Sequence, residues 1–297
     1  MGSMRSRQRW IGTLLVLAST AGFSAKSIFA KLAYHDGCDA LTLVSWRMLL
    51  SLPFFLLAIY WTTRSPNRPA LRRDDIISIS LLGVAGYYLS SMLDFEGLMF
   101  ISASLERLAL FLYPTLVVIL DLAFNGKPMK RQTFFALLLS YGGIALVVIH
   151  DLGHQHGTLL GTLLVMGSAL CYACYLLGSQ PLILRLGSLR FTGLTLCVAS
   201  ICVLLQTLLQ EGPSAFHISL PIFWLALATA LISTVMPVFL LTAGIARIGS
   251  QQAALIGSIG PVATMFLGSW FLHEPMTLLQ LLGALLVTGG VMVVSKG

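Results

Sequence analysis

Long runs of hydrophobic residues, separated by short polar or proline-containing segments, cover almost the whole chain. A helix needs about 20 predominantly apolar residues to cross a bilayer core. The runs lack the two-residue alternation that is typical of membrane β-strands. The pattern therefore predicts an all-α polytopic membrane protein with ten transmembrane helices, at residues 11–33, 40–61, 76–97, 102–124, 132–150, 158–180, 190–210, 219–244, 249–271 and 277–295.

Part of this pattern occurs twice. Residues 101–148 align without a gap with residues 248–295, which lie 147 positions later. The landmarks shared by the two copies are Pro114 with Pro261, Pro128–Met129 with Pro275–Met276, and Gly142–Gly143 with Gly289–Gly290. Proline and glycine mark special backbone positions rather than hydrophobicity, so their common register indicates an internal duplication.

The duplication extends to further helices and divides the chain. The first and sixth predicted helices align at an offset of 149, and the third and eighth align at 147, which pairs Gly97 with Gly244. The three residues ahead of Met4 are typical of a tag remnant. We therefore divide the chain into a tag remnant with a cytoplasmic N-terminus (1–10), a first five-helix repeat (11–150) and a second five-helix repeat (151–297).

The composition is that of a protein lying mostly in lipid. Hydrophobic residues make up 57% of the chain and charged residues only 10%, with a mean hydropathy of +0.89. A soluble domain carries about 25% charged residues. The five cysteines are odd in number and lie mostly within apolar runs, so we expect packing residues rather than a disulfide framework.

The net charge of +7 follows the predicted topology. If the N-terminus is cytoplasmic, the basic residues of the inner segments are Arg5, Arg7, Arg9, Arg64, Arg68, Arg72, Arg73, Lys127, Lys130, Arg131, Arg185, Arg190, Arg247 and Lys296. The outer loops carry acidic residues instead, namely Asp36, Asp39, Asp151, Glu211 and Glu274. This positive-inside asymmetry explains the charge without nucleic acid and predicts cytoplasmic termini in a bacterial inner membrane.

An odd number of helices in each repeat reverses the direction in which the second repeat enters the membrane. The two repeats would then be related by a pseudo-two-fold axis in the membrane plane. Such inverted repeats are typical of transporters, whose substrate site lies near the bilayer midplane between the repeats. The duplication thus predicts a function as well as a fold.

Several of these residues also carry a family resemblance. The chain resembles the drug/metabolite transporter superfamily, in its ten-helix branch built from two EamA-type repeats. The matching features are Ser102-Ala103-Ser104, the mid-helix Pro114 and Pro261, the corner Leu272-His273-Glu274-Pro275, the two Gly-Gly pairs, and Arg47. The sequence departs from the pattern at Lys127, which aligns with Glu274, and at Glu106-Arg107, where small apolar residues are usual.

The resemblance implies a secondary transporter that exports small metabolites by alternating access. Within the superfamily the chain is most similar to aromatic amino-acid exporters, which implies amino-acid substrates. Exporters of drugs, nucleosides or sugars share the same fold and are the alternative. The implied partners are a zwitterionic small molecule and the lipid bilayer, with the protein a monomer or weak dimer that needs no cofactor.

Ionisable residues inside the bilayer are costly and are candidates for the functional site. Lys26 lies about midway through the first predicted helix, too far from the membrane surface for its ammonium group to reach water easily. It could bind an anionic substrate group, or it could pair with a carboxylate such as Glu106. Asp94, Glu96 and Glu106 are candidates for proton coupling, and facilitated diffusion is equally compatible with the sequence.

Adjacent charges and clustered aromatic residues complete the predicted site. Glu106 and Arg107 are neighbours on a helix and point about 100° apart, so at most one lines the pathway. Aromatic residues in membrane helices often serve packing alone. The remaining candidates for a polar, aromatic central pocket are Tyr87, Tyr88, Ser91, Tyr113, Tyr172, Tyr175, Phe239, Gln251 and Gln252.

Prolines mark the predicted hinges. Pro114, Pro237 and Pro261 each remove a backbone hydrogen bond within an apolar run. Two of the three occupy matched positions in the repeats, which favours bending points that open and close the two sides.

Two other classes of membrane protein are alternatives to a transporter. A membrane-embedded enzyme would need a catalytic cluster, and the one candidate for metal ligands is His150, Asp151, His154 and His156, in a predicted outer loop. A scaffold subunit would gain nothing from an inverted repeat. No phosphate-binding G-x-x-x-x-G-K-[ST] motif is present, so the sequence does not predict an ATP-driven pump.

Overall fold

The computed structural model describes residues 2–64, 69–125, 131–152, 157–248, 250–257 and 259–296. Within these ranges every regular element is helical. The α-helices are α1 (Gly2–His35), α2 (Ala40–Thr63), α3 (Arg73–Gly83), α4 (Ser90–Leu98), α5 (Ala103–Leu110), α6 (Tyr113–Asn125), α7 (Arg131–Leu152), α8 (Thr158–Leu186), α9 (Ser188–Gln210), α10 (Leu220–Ala230), α11 (Met236–Ile248), α12 (Ser250–Gly257), α13 (Gly260–Leu272) and α14 (Leu278–Lys296).

The apolar helices follow the predicted runs. Among the described residues, seven are long and apolar enough to cross a membrane: Gln8–His35, Ala40–Thr63, Arg73–Leu98, Ala103–Phe124, Thr158–Leu186, Ser188–Gln210 and Leu220–Ile248. The predicted helices at 132–150, 249–271 and 277–295 contain shorter apolar helices, Phe134–Ile149, Gly260–Leu272 and Leu278–Val293. The chain is therefore a polytopic membrane protein.

Two of the predicted runs are divided at a proline. The run at 249–271 was predicted as one helix, but α12 ends before Pro261 and α13 begins at Gly260. The run at 102–124 is likewise divided, because α5 ends at Leu110 and α6 begins just before Pro114. Proline lacks an N–H group and is favoured in the first helical turn, where no such donor is required.

Two π-helical segments interrupt other runs. Val84–Leu89 lies between α3 and α4, and Leu231–Val235 lies between α10 and α11. The two segments begin at the same repeat register, 147 positions apart. Pro237 follows the second segment, whereas Ser90 occupies the aligned place in the first, so the π conformation does not require proline. Such π segments are rare and often lie at functional sites.

Glycines bring helices of the two halves into close contact. A Cβ atom on Gly97 of α4 would lie 2.7 Å from the carbonyl oxygen of Gly161 on α8, and one on Gly161 would lie 2.8 Å from the oxygen of Gly97. In the same way, a Cβ atom on Gly12 of α1 would lie 2.5 Å from Ile248, beside Gly244. Small residues let helix backbones approach closely in membranes.

The helices α7 and α14 pack against each other through another glycine contact. A Cβ atom on Gly143 would lie 2.9 Å from the carbonyl oxygen of Gly283. Val147, Ala284 and Val287 fill the rest of this contact in a fully buried cluster. The position is therefore intolerant of any added atom.

We expect Gly143→Ala to lower the free energy of unfolding by about 1–2 kcal/mol, because the new methyl group overpacks the contact against backbone atoms. Thermal or denaturant unfolding of the purified protein measures this change. Gly142→Ala is the matched control, since a Cβ atom there meets nothing within 4 Å. Equal effects of the two substitutions would contradict the packing explanation.

The helix α1 lies at the centre of the arrangement. It packs against α10, α11 and α13 of the second half and against α4 and α5 of the first half. A second cluster joins α2, α4, α9 and α10 beside it through fully buried residues such as Leu43, Phe95 and Ala226. The charged residue in the middle of α1 is therefore enclosed by helices on several sides.

Candidate functional site

A cluster of charged residues joins α1, α4 and α5, and we call Lys26, Asp94 and Glu106 the charged triad. The Lys26 Nζ atom donates to Glu106 Oε1 at 2.9 Å and forms a close ion pair with Asp94 Oδ2. Ser27 donates its hydroxyl to Glu106 Oε2 at 2.5 Å. Lys26 is 8% exposed, Asp94 4% and Glu106 0%, so the triad is almost completely removed from solvent and lipid.

The start of α5 and one turn of α1 position the side chains around Glu106. Ser102 caps α5, because its side chain accepts a hydrogen bond from the Leu105 amide at 3.1 Å. Glu106 therefore lies in the first turn of α5. Lys26 and Ser27 are consecutive residues of α1 that both reach Glu106. Charges buried at such depth are retained at a cost of several kcal/mol for each ion unless they are paired, as they are here.

A second buried cation lies beside the triad. The Arg47 Nη2 atom donates to Ser91 Oγ at 2.8 Å. Its guanidinium carbon lies 4.7 Å from the centre of the Phe95 ring, and Lys26 Nζ lies 5.6 Å from the same ring. Phe95 thus separates the two cations, and its negative ring face stabilises both. Ser91, a predicted pocket residue, is a hydrogen-bond partner of Arg47.

Of the predicted alternatives for Lys26, ion pairing with carboxylates is the arrangement found. Pairing with Glu106 was anticipated, whereas the contact with Asp94 was not. Glu96, the third coupling candidate, is exposed on α4 and lies apart from the triad. It follows Asp94 by two positions, and helical residues at that spacing do not share a face.

Four of the predicted tyrosines form one continuous row. The ring centres of Tyr113 and Tyr172 are 5.2 Å apart, those of Tyr172 and Tyr175 are 5.7 Å apart, and those of Tyr175 and Tyr87 are 5.0 Å apart. Tyr175 is 3% exposed and donates to the Tyr87 hydroxyl at 3.4 Å. The row presents several aromatic faces and phenol groups along α8.

The other predicted pocket residues lie in different surroundings. Tyr88 is partly buried against the cluster that contains Phe95. Phe239 packs with Tyr87 against another small apolar cluster. Gln252 is exposed, and the side chain of Gln251 is outside the described residues. Among the described residues, Phe239 and Tyr88 thus share apolar surroundings with Tyr87 of the tyrosine row, whereas Gln252 is exposed.

A carboxylate not predicted for the site makes a contact between the two halves. Glu274 Oε1 accepts from the Ala103 amide at 2.8 Å, and Oε2 accepts from the Ser104 amide at 3.4 Å and from the Ser104 hydroxyl at 3.1 Å. We call this contact the Glu274 clasp. The signal was present in the sequence as a difference between the copies, since Lys127, outside the described residues, aligns with Glu274.

A cavity of about 500 Å³ opens near the ends of α1, α2 and α9. Thr42 on its wall donates its hydroxyl to Glu211 at 3.1 Å. Burial raises the pKa of the Cys38 thiol there to about 12, so this thiol stays protonated near neutral pH. The described lining residues include no member of the charged triad or the tyrosine row, so the cavity is separate from them.

The predicted metal-ligand cluster is only partly described. His154 and His156, together with the side chain of His150, lie outside the described residues, and Asp151 is buried. Across the described ranges, no group of three His, Cys, Asp or Glu side chains is arranged to hold a metal ion.

Comparison with known sequences gives a consistent result. The profile of the EamA-like transporter family matches residues 10–149 and again residues 159–296. The uncharacterized transporter YcbK of Bacillus subtilis (strain 168) is 32% identical, over 98% of this chain and 93% of that protein. The threonine/homoserine exporter RhtA of Escherichia coli (strain K12) is 25% identical, over 95% of this chain and 90% of that protein.

Comparison with solved structures concerns the fold. One crystal structure superposes with a TM-score of 0.62, covering 95% of each chain at 15% sequence identity. Similarity at that identity supports a common fold over nearly the full length and carries no information about substrate.

Proposed function

The chain belongs to the EamA-like transporter family, and we propose that it is a secondary transporter that exports amino acids, aromatic ones included, across the bacterial inner membrane by alternating access. Transporters are the common description among its relatives, and one of them is a threonine/homoserine exporter. That relative supports small-metabolite export in general. The aromatic preference rests on the side chains of this chain.

The observation that carries the proposal is the packing of the helices that bear the buried charges against the helix that bears the tyrosine row. The charged triad joins α1, α4 and α5, and the tyrosine row follows α8, which itself packs against α4 and α5. Charged groups suit the ammonium and carboxylate of a zwitterion, and aromatic faces suit an aromatic side chain.

Reciprocal contacts support two inverted repeats with ten transmembrane helices. Gly12 meets Gly244 as Gly161 meets Gly97, and because Gly12 aligns with Gly161 and Gly244 with Gly97, the two contacts are equivalent. The Ser19 hydroxyl donates to the Pro237 carbonyl at 2.8 Å, and at the aligned positions the Ser168 and Ser90 hydroxyls are 2.9 Å apart. Such exchange of partners is the signature of a two-fold relation. The distribution of basic residues supports cytoplasmic termini.

Asp94 and Glu106 are the residues that we propose for coupling to protons. Within the triad, a charged Lys26 and two ionised carboxylates leave one net negative charge, which the nearby Arg47 offsets in part, and a proton bound by one of the carboxylates changes this balance. Both carboxylates bind the same Lys26 Nζ atom, so their protonation states are linked. Protonation would therefore change how tightly α4 and α5 are held to α1.

Transport by the purified protein in liposomes tests the function. We expect export of phenylalanine, tyrosine, tryptophan, methionine and threonine at rates at least about tenfold above those of empty liposomes, and faster export when an inward proton gradient is imposed. The reason is that a zwitterion matches the charged and aromatic groups, while the coupling carboxylates respond to protons.

Drugs, nucleosides and sugars are the comparison solutes in the same liposomes. Transport of one of these classes together with failure of all five amino acids would contradict the proposed substrate. Amino-acid transport at a rate independent of the pH gradient would contradict obligatory proton coupling while leaving the substrate in place.

A further inference from the structure

Arg107 is a partly buried cation on α5, and like Arg47 it forms no ion pair with a described carboxylate. Among the described residues, no carboxylate forms an ion pair with its guanidinium, and its buried Nε atom has no hydrogen-bond partner. Lys26, by contrast, is paired with two carboxylates. An unpaired guanidinium inside a membrane protein is costly, and such residues usually serve a substrate or ion pathway.

The neighbouring carboxylate does not neutralise Arg107 by contact. Glu106 attracts it through space, but successive side chains on a helix diverge by about 100°. Both oxygens of Glu106 already accept hydrogen bonds, from Lys26 and Ser27. Glu106 therefore faces the triad, and Arg107 projects elsewhere from α5. The sequence predicted that at most one of the two would line the pathway.

The Arg107 guanidinium lies directly against Gly260, because a glycine at this position leaves room for the guanidinium. A Cβ atom on Gly260 would lie 3.0 Å from Arg107 Nη2 and 3.5 Å from Nε, so any larger residue would crowd the guanidinium. Gly260 opens α13 at the break between α12 and α13. In the first repeat, the aligned position is occupied by Tyr113.

The tyrosine row ends at the same place. Arg107 lies close enough to Tyr113 and Tyr172 to interact electrostatically with both phenols, and their rings are 5.2 Å apart in an edge-to-face contact. The site therefore offers a planar, bidentate hydrogen-bond donor next to two aromatic faces. A guanidinium in this form matches the geometry of a carboxylate better than an ammonium does.

We propose that Arg107, rather than Lys26, binds the carboxylate of the transported solute. The inference rests on the proposed function and makes it more specific: the substrate is a small carboxylate-bearing molecule with an apolar or aromatic portion that lies along Tyr113 and Tyr172. Gly260 is the position that accommodates the guanidinium, since any larger residue there would displace it. Lys26 then serves the triad and is not needed to neutralise the solute.

Equilibrium binding of labelled phenylalanine and of labelled phenylalaninamide to the purified full-length protein tests the proposal. The two ligands have the same shape, and only the first has a carboxylate. At about pH 6, below the α-amino pKa of about 7.7–8.0, both carry a protonated amine. We expect the wild-type protein to bind phenylalanine at least about tenfold more tightly, as a charge-assisted hydrogen bond provides.

Arg107→Gln is expected to weaken phenylalanine binding by about 10- to 100-fold. The affinity of this variant for phenylalaninamide is expected to stay within about twofold of the wild-type affinity. Arg107→Lys should keep part of the preference, and Gly260→Ala should reduce it by crowding the guanidinium. Arg247→Gln is the matched control, because Arg247 is an exposed arginine on α11. If Arg107 had only a structural role, Arg107→Gln would weaken the binding of both ligands by the same factor.

The outcomes separate the inference from the proposed function. If the wild-type protein prefers phenylalanine and Arg107→Gln keeps that preference, the role of Arg107 is overturned while amino-acid transport stands. Loss of both ligands in folded Arg107→Gln, or equal binding of the two ligands by the wild type, also overturns it. If neither ligand binds the wild type, the amino-acid proposal itself fails, and the role of Arg107 fails with it.

Discussion

Replacing Lys26 with methionine is expected to abolish transport and to lower the free energy of unfolding by about 3–5 kcal/mol. The substitution removes the one cation that pairs with both Asp94 and Glu106. Because Glu106 is 0% exposed and Asp94 4%, neither carboxylate can recover its hydration. Methionine keeps most of the length and volume of lysine. The loss of stability and transport is therefore due to the missing charge and not to a cavity.

Denaturant unfolding of the purified protein and transport in liposomes measure the two effects. Lys31→Met is the matched control: Lys31 lies on the same helix, is only partly buried, and forms no ion pair with any described residue. We expect this control to change stability by less than about 1 kcal/mol, as is usual for substitutions away from buried charges.

A triple variant distinguishes the two consequences. Lys26→Met with Asp94→Asn and Glu106→Gln removes all three charges together, so no uncompensated ion remains. We expect it to regain at least about half of the lost stability, since replacing a whole buried ion group is far less costly than breaking it. We expect it to remain inactive, because the coupling carboxylates are gone. Restored transport in the triple variant would mean that the triad is purely structural.

Lys26 also shows which features of the candidate site can be predicted from the sequence. Its position in an apolar run was sufficient to predict a buried lysine, and the structure confirms the burial. Its partners lie 68 and 80 residues away, and helix packing determines which carboxylates reach it. Asp94 and Glu96 were indistinguishable as candidates, because burial of one and exposure of the other depends on which face of α4 meets α1.

Some features of the fold could likewise be predicted from the sequence, and others could not. Prolines at matched positions predicted bending points in two runs, and the structure divides each of these runs into two helices at the proline. The π segments were not predicted, because no single residue type specifies them and Ser90 stands where Pro237 does. The aligned Gly97 and Gly244 indicated a shared role, whereas their contacts with Gly161 and Gly12 became visible only when helices from both halves were brought together.

Arg107 was left undecided for a different reason. The helical angle between Glu106 and Arg107 predicted that at most one of them lines the pathway, but it could not identify which one. In the structure both oxygens of Glu106 accept hydrogen bonds from Lys26 and Ser27, which favours Arg107 in the proposal above. The aligned pair Tyr113 and Gly260 added the rest, since a tyrosine in one copy and a glycine in the other leave room for a side chain from α5.

Removing the charge of Glu274 is expected to release one side of the transporter. In the proposed topology the Glu274 clasp lies on the outer face, where the carboxylate caps the start of α5. The first amides of a helix have no partner within the helix, and a carboxylate at this end is also favoured by the helix dipole. Hydrogen bonds to a charged group contribute about 1.5–3 kcal/mol, so we expect Glu274→Gln to weaken the clasp by about 2–3 kcal/mol.

Hydrogen exchange at the amides of Ala103 and Ser104 measures this change directly. Both amides donate to Glu274, and we expect their exchange in Glu274→Gln to be faster by about 30- to 150-fold, the equivalent of that free energy. Glu211→Gln is the control, because Glu211 is a carboxylate on the same face that accepts from the Thr42 hydroxyl instead. Unchanged exchange at both amides in Glu274→Gln would exclude the clasp as a closing contact.

The two copies differ in sequence at the position of the clasp. Lys127 aligns with Glu274 in the first copy, and an ammonium has no acceptor with which to cap the start of α12. If the repeats exchange roles when the transporter turns over, the two sides close with different strengths. Glu274→Gln should therefore favour the outward-open state, raising the exchange of Ala103 and Ser104 while leaving that of α12 unchanged. An equal increase at α12 would indicate general loosening instead of the opening of one side.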